Sequence, residues 1–162
     1  MAASFTPLTA AEESWLNGQL AAAAQLATAH CPEVDSAPLS PDVLDRVWAA
    51  WVTSAPTEPD AINAGINAIG IAFGSHLVQH AGFSWVIASD EWGTDLAVLA
   101  LPGTANVLVY PANFVAKRWE RRETGFLQPA FQDITRQVNA LPQPAAATHP
   151  RRSFWNRLTG GG

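Results

Sequence analysis

Cysteine is nearly absent: Cys31 is the single one in 162 residues. No disulfide can form within the chain, and a zinc site built from two or more thiolates is excluded. Charge is scarce as well, since Asp, Glu, Lys and Arg make up 14% of the residues against 48% hydrophobic. So apolar a chain cannot stay disordered, and at this length it can bury about two-thirds of its unfolded surface around a single core. The formal net charge of −5 leaves out a nucleic-acid binder that works through an overall basic field. The N-terminus lacks a basic segment followed by an apolar stretch, and no apolar run approaches the length of a membrane span, so a cytoplasmic location is expected. No motif specific to a reaction occurs. No cofactor is expected and no catalytic residue is assigned.

What is present is helical and strand patterning. Thr9 followed by Glu12 has the spacing of a capping box, in which each side chain bonds the other residue's free backbone N–H. A helix is predicted over 10–29, with Trp15, Leu16, Leu20 and Leu26 toward one side. After a loop over 33–39, Ser40 as cap and Pro41 at the first helical position open a helix over 41–53. Its apolar stripe is Val43, Leu44, Val47, Trp48 and Trp51. Asp60 reads as the cap of a central helix over 61–81, ended by Gly82. Ile62, Ile66, Ile69, Phe73 and Leu77 share one sector of it, with Ile71 and Val78 nearly opposite, so it is expected to be buried on two sides. Asn63, Asn67, Gly70 and Gly74 form a small-residue strip. Each Gly costs a helix about 1 kcal/mol relative to Ala, so the Gly pair predicts a second backbone passing close by.

Three short strands follow, over 84–89, 95–101 and 107–110. Asp90 to Gly93 makes the first turn, and Pro102-Gly103 suits the centre of a type II turn. Loops this short force antiparallel neighbours and hence a meander. Apolar residues on both faces of the strands predict helices over more than one face. Pro111 stops the third strand, Asn113 caps a helix over 114–122, and a last helix runs over 129–141 with Phe131, Ile134, Val138 and Leu141 at helical spacing. The fold class is therefore α+β, a three-stranded antiparallel meander packed with about five helices. One domain covers 1–141, with its core from residue 60; 142–162 reads as a Pro/Ala-rich linker and a basic-aromatic tail.

The segment GIAFGSHLVQHAGFSWVIASDEWGTDLAVL, followed by VYPANFVAKRWE, resembles a bacterial family catalogued as domain of unknown function 3806. The resembling pieces are the Phe73-Gly74 step, the Trp85 strand leading to Asp90 and Gly93, the Pro111 strand end and Lys117-Arg118. The likeness covers residues 60–140 and implies a small bacterial α+β domain. It implies no activity, and no catalytic residue is carried over from it.

Three constellations carry possible chemistry. His76 and His80 stand one helical turn apart, a spacing that lets two imidazoles reach one metal if Asp90, Glu91 or Asp95 supplies further ligands. The plainer account is a partly buried pair bonded within the scaffold. Asp90, Glu91 and Asp95 cluster at a strand turn, where paired carboxylates can divide acid and base roles but where Asp more commonly bonds nearby backbone N–H groups. Lys117, Arg118, Arg121 and Arg122 form a basic helix face suited to an anionic ligand or acidic partner, though Glu120 and Glu123 interrupt it. Ser75 sits inside a helix, not at a strand-to-helix elbow, and Cys31 sits at a helix C-terminus that disfavours a thiolate. The tail over 151–158, with Arg151, Arg152, Phe154, Trp155 and Arg157, can dock on a partner or an acidic surface.

The expectation is a non-enzymatic interaction module, adaptor or immunity-like. It binds a protein partner through Asp90 and Asp95 or through the Lys117–Arg122 face. The alternative is an enzyme or metal-dependent site using His76 and His80 with Asp90, Glu91 and Asp95. A third reading is weak anion or nucleic-acid binding by the basic segments.

Overall fold

Thr9 and Glu12 close the capping box that their spacing predicts: the Thr9 hydroxyl accepts the Glu12 N–H, and the Glu12 carboxylate accepts the Thr9 N–H. The helix they start is the first of five in a computed structural model that describes residues 2–34 and 39–144. In chain order the elements are β1 (Ser4–Thr6), α1 (Ala10–His30), α2 (Pro41–Thr53), α3 (Pro59–His80), β2 (Ser84–Asp90), β3 (Gly93–Ala100), β4 (Val107–Val109), α4 (Pro111–Glu120) and α5 (Leu127–Ala140). The tail over 151–158 lies outside the described residues.

The fold is α+β, but the sheet has four antiparallel strands in the order β1-β2-β3-β4 instead of three. A three-residue run such as Ser4–Thr6 carries no periodicity of its own. Pairing of Phe5 with Ala88 and of Ser4 with Ser89 is what makes it a strand. The two faces of the sheet are engaged differently. Trp85, Val98, Ala100, Val107 and Val109 share one face and join the core built by the helices. On the other face Val86 meets Ala97, Leu99 meets Leu108 and Phe5 meets Ala88 as cross-strand partners, outside that core.

Three helix starts move, each for a reason set by proline. α3 begins at Pro59 with Glu58 before it, so Asp60 lies in the first turn and is not the cap. α4 begins at Pro111, two residues ahead of Asn113. Proline suits a first helical position because its missing N–H has no intrahelical partner to lose. α5 begins at Leu127 and places Pro129 within the first turn, where the same argument holds. The N–H groups of Leu127 and Gln128 are taken by the two carboxylate oxygens of Asp45, at 2.8 and 2.9 Å. The cap of α5 thus comes from the middle of α2.

α3 is an inner rod that touches α1, α2, α4 and β3. Every residue from Ala68 through Ser75 is buried. It is also the one described helix long and apolar enough to cross a membrane, contrary to the expectation that no run approaches that length; its apolar residues serve the core. The glycines explain how neighbours come so close. A Cβ on Gly70 would lie 2.8 Å from the Cα of Ala112 and 2.9 Å from the Pro111 carbonyl, so the backbone passing there is the start of α4. A Cβ on Gly74 would meet the Trp85 ring at 2.5 Å and Pro111 at 2.7 Å, and one on Gly65 would run into the Trp51 ring.

α2 lays Trp48 and Trp51 against Trp119 of α4 and Phe126, with Trp51 and Trp119 centroids 5.0 Å apart. The Trp48 indole N–H donates to the Glu123 carbonyl at 2.8 Å. Aromatic packing and the Asp45 cap therefore fix the link between α4 and α5. Trp15, placed on the apolar side of α1 by its spacing, is instead 45% exposed.

Two outcomes follow for stability, both measurable by urea unfolding. Gly70→Ala should destabilise by about 1–3 kcal/mol through overpacking, opposite in sign to the helix-propensity gain, whereas Gly18→Ala, with open space around it, should gain up to about 1 kcal/mol. Asp45→Ala should cost about 1–2 kcal/mol as the α5 cap is lost, and an unchanged midpoint would show that Asp45 does not hold that helix.

Candidate functional site

α4 is set against α3 by Gly70, and it buries Val115 and Trp119 inward. Phe114, Lys117 and Arg118, at spacings of one helical turn, are then left along a trough between α4, α5 and the outer edge of the sheet. This trough encloses about 430 Å³ and is lined by Leu108, Val109, Tyr110, Asn113, Phe114, Lys117, Arg118 and Ile134. No carboxylate is among them, in a chain of net charge −5. Tyr110 and Asn113 also line a depression of about 310 Å³ beside Asp90, Trp92 and Asp95. Phe114, Arg118 and Ile134 also line one of about 490 Å³ beside Glu123, Phe126 and Asp133.

Asp90 and Asp95, at the sheet end, are committed to hydrogen bonds within the chain. Asp90 accepts the N–H groups of Trp92 and Gly93 and so closes the two-residue turn between β2 and β3. β4 pairs only with Val98–Ala100, because Pro111 takes the chain out of the sheet. Asp95 accepts the N–H of Leu96 through one oxygen and the Asn113 amide N–H through the other, at 2.9 Å. Asn113, read as a helix cap, thus ties α4 to the sheet. Burial first, and then Asp90 and Asp95, push the Tyr110 phenol above its ordinary 10.0, which keeps the hydroxyl neutral. Trp92, 88% exposed at the tip of the turn, is the most exposed large apolar side chain among the described residues.

The basic helix face divides. Arg118 lies 4.2 Å over the Phe114 ring and 3.9 Å from the Glu123 carboxylate, and that pair is half open to solvent and weak. Lys117 is exposed and has no ion pair among the described residues. Arg122 folds over Trp119 at 3.7 Å, and neither it nor Arg121 lines the trough. The structure therefore puts Lys117 and Arg118 in the trough and Asp90 and Asp95 in a neighbouring depression that shares Tyr110 and Asn113 with it, and leaves Arg121 and Arg122 off both. Neither Asp90 nor Asp95 pairs with a basic residue of α4. None of Tyr110, Phe114 and Ile134 was read from sequence as a site residue, Ile134 entering only through the apolar spacing of the last helix; proximity in space marks them.

The sequence matches, over residues 47–131, the family model described as "Domain of unknown function (DUF3806)", more than half of the chain. The chain belongs to the DUF3806 family. The matched span runs from α2 to α5 and contains α3, three strands, α4 and most of the trough. A crystal structure from Bacteroides thetaiotaomicron superposes on the domain with a TM-score of 0.64 at 14% identity, a likeness of fold. It covers 83% of this chain and 47% of its own, so the DUF3806 chain spans about half the length of that protein. No curated protein matches the sequence.

His76 and His80 lie elsewhere, at the end of α3. Their ring centroids are 4.3 Å apart, and His76 meets Phe131 of α5 edge-on at 4.8 Å. His76 is half-buried but His80 is exposed, against the partial burial that its place on the helix predicts. Asp90, Glu91 and Asp95 do not join them: among the described residues no group of three or more His, Cys, Asp or Glu is placed to hold a metal ion. Cys31 is buried, and burial first and then Glu33 raise its thiol above the ordinary value, against a smaller lowering by Arg46.

Burial first, and then His80, hold the His76 imidazole below its ordinary 6.5, with Asp42 acting the other way. The unfolded chain then takes up a proton at a higher pH than the folded one. The contribution of His76 is complete above 6.5 and is lost as pH falls below it toward the lowered folded value. His76→Gln should remove part of the fall in unfolding free energy between about pH 8 and about pH 5. Identical pH dependence in the two proteins would exclude His76 as a source of it.

Proposed function

We propose that this DUF3806 domain is a non-enzymatic binding module whose trough beside α4 takes an anionic segment of a protein partner. The observation that carries the reading is the lining itself. In an acidic chain, one concave surface sets Lys117 and Arg118 beside Leu108, Val109, Phe114 and Ile134 without a carboxylate in its lining. Opposite charge across an interface steers encounter and fixes register, while apolar walls contribute affinity. Lys117 reaches solvent with no internal partner among the described residues, so its charge is free for a ligand.

The acidic groups on both sides narrow the class of ligand. Asp90 and Asp95 on one side, and Glu123 and Asp133 on the other, would repel a long polyanion laid across the trough. A single carboxylate held at the middle suits the charge pattern better than a nucleic-acid backbone does. The reading is compatible with an adaptor or immunity-like role in the bacterial cytoplasm.

The test is a nuclear magnetic resonance titration of the isotopically labelled chain with the blocked tripeptide acetyl-Val-Glu-Val-amide. Backbone signals of Tyr110, Asn113, Lys117 and Arg118 should shift first, and the shifts should shrink with added salt and on Lys117→Glu. Shifts spread evenly over the surface, or unchanged in Lys117→Glu, would exclude the trough as the binding site.

A further inference from the structure

We infer that the trough receives its ligand as an added β-strand: an extended segment of a partner protein, alternating apolar residues with an acidic one, pairs with the free edge of β4. The inference rests on the trough being the binding site and adds how the partner is held. Val109 projects to the face of the sheet that carries Val98, and Leu108 to the face that carries Leu99, yet both line the same trough. Neighbours on opposite faces of one strand can border one concavity only where it sits at the strand's edge. That edge is unpaired: β4 is last in the sheet, and its residues make no backbone hydrogen bond outside their pairing with β3 among the described residues.

An unpaired strand edge offers a row of main-chain donors and acceptors, and an extended peptide satisfies them by strand addition. Three residues of β4 present about 10 Å of such edge. The opposite wall is α4 and α5, with Phe114 and Ile134 as apolar contacts and Lys117 and Arg118 above them. Successive side chains of the added strand point to opposite sides, so an apolar residue would meet Phe114 and Ile134 while its neighbour turns a carboxylate toward Lys117. The trough shares Tyr110 and Asn113 with a depression on one side, and Phe114, Arg118 and Ile134 with a depression on the other. A chain that extends past the trough on both sides presents the carboxylate of an internal side chain, not of a chain terminus.

The experiment selects eight-residue peptides, blocked at both ends, from a random library against the full chain, and measures the best by fluorescence polarisation. Enriched sequences should alternate apolar residues with Glu or Asp. Their affinity should fall about tenfold on Lys117→Glu, an exposed position whose substitution leaves the core untouched, and further on Lys117→Glu with Arg118→Glu. Methylating alternate backbone nitrogens of the peptide should abolish binding in one register and spare it in the other, because strand pairing uses every second N–H. Charge-dependent binding that is indifferent to N-methylation in both registers would overturn strand addition and leave the trough as the site. Enriched peptides insensitive to Lys117→Glu, or no enrichment at all, would overturn the trough as the site and strand addition with it.

Discussion

The close approach of α4 to α3 is the contact on which the remaining arrangement hangs. Gly70 has no Cβ, so the Pro111-Ala112 peptide can lie against it, and Gly74 admits both Pro111 and the Trp85 ring. Glycine weakens a helix, so α3 is locally poorer for these residues, and the loss is offset by burial of a rod whose middle is enclosed from Ala68 through Ser75. Because α4 sits so low on α3, its outward residues stand at the level of the sheet edge. A helix one side chain further out would carry Lys117 and Arg118 away from β4.

A second set of contacts ties the same region from the other side. Trp48 and Trp51 of α2 reach across to Trp119 and Phe126, while Asp45 takes the first two N–H groups of α5 and the Trp48 indole takes the Glu123 carbonyl. Polar and apolar contacts from one helix thereby fix the link between α4 and α5. This is why the trough has two firm walls, and why Arg118, resting on Phe114 between them, faces it. The sheet end is held by Asp95, which satisfies the ladder N–H of Leu96 where β4 stops and binds Asn113 of α4.

Much of the plan could be read from the residues. The capping box at Thr9, the Pro41 start, the stripe of Leu44, Val47, Trp48 and Trp51, and the buried faces of α3 all follow from periodicity and cap chemistry. The Gly70 and Gly74 pair announced a close backbone without saying which one. β1 was invisible because a strand of three residues has no pattern apart from its partner. Asp45 looked like any surface carboxylate on α2, since its role depends on residues more than 80 positions away. Asn113 was misread because a cap and a cross-element amide bond use the same side chain, and Pro111 had already set the helix start.

The sequence by itself determined the α+β class, the family, the central helix and a basic stretch on α4, because these rest on spacing along the chain and on intrinsic backbone preferences. Tertiary structure alone decided that Lys117 and Arg118 share a concave surface with Tyr110 and Ile134 while Arg121 and Arg122 do not. It also decided that Asp95 ties the sheet to Asn113 of α4. Those outcomes depend on which elements pack against which, and a concavity or a satisfied hydrogen bond is a property of neighbours in space that no local spacing encodes.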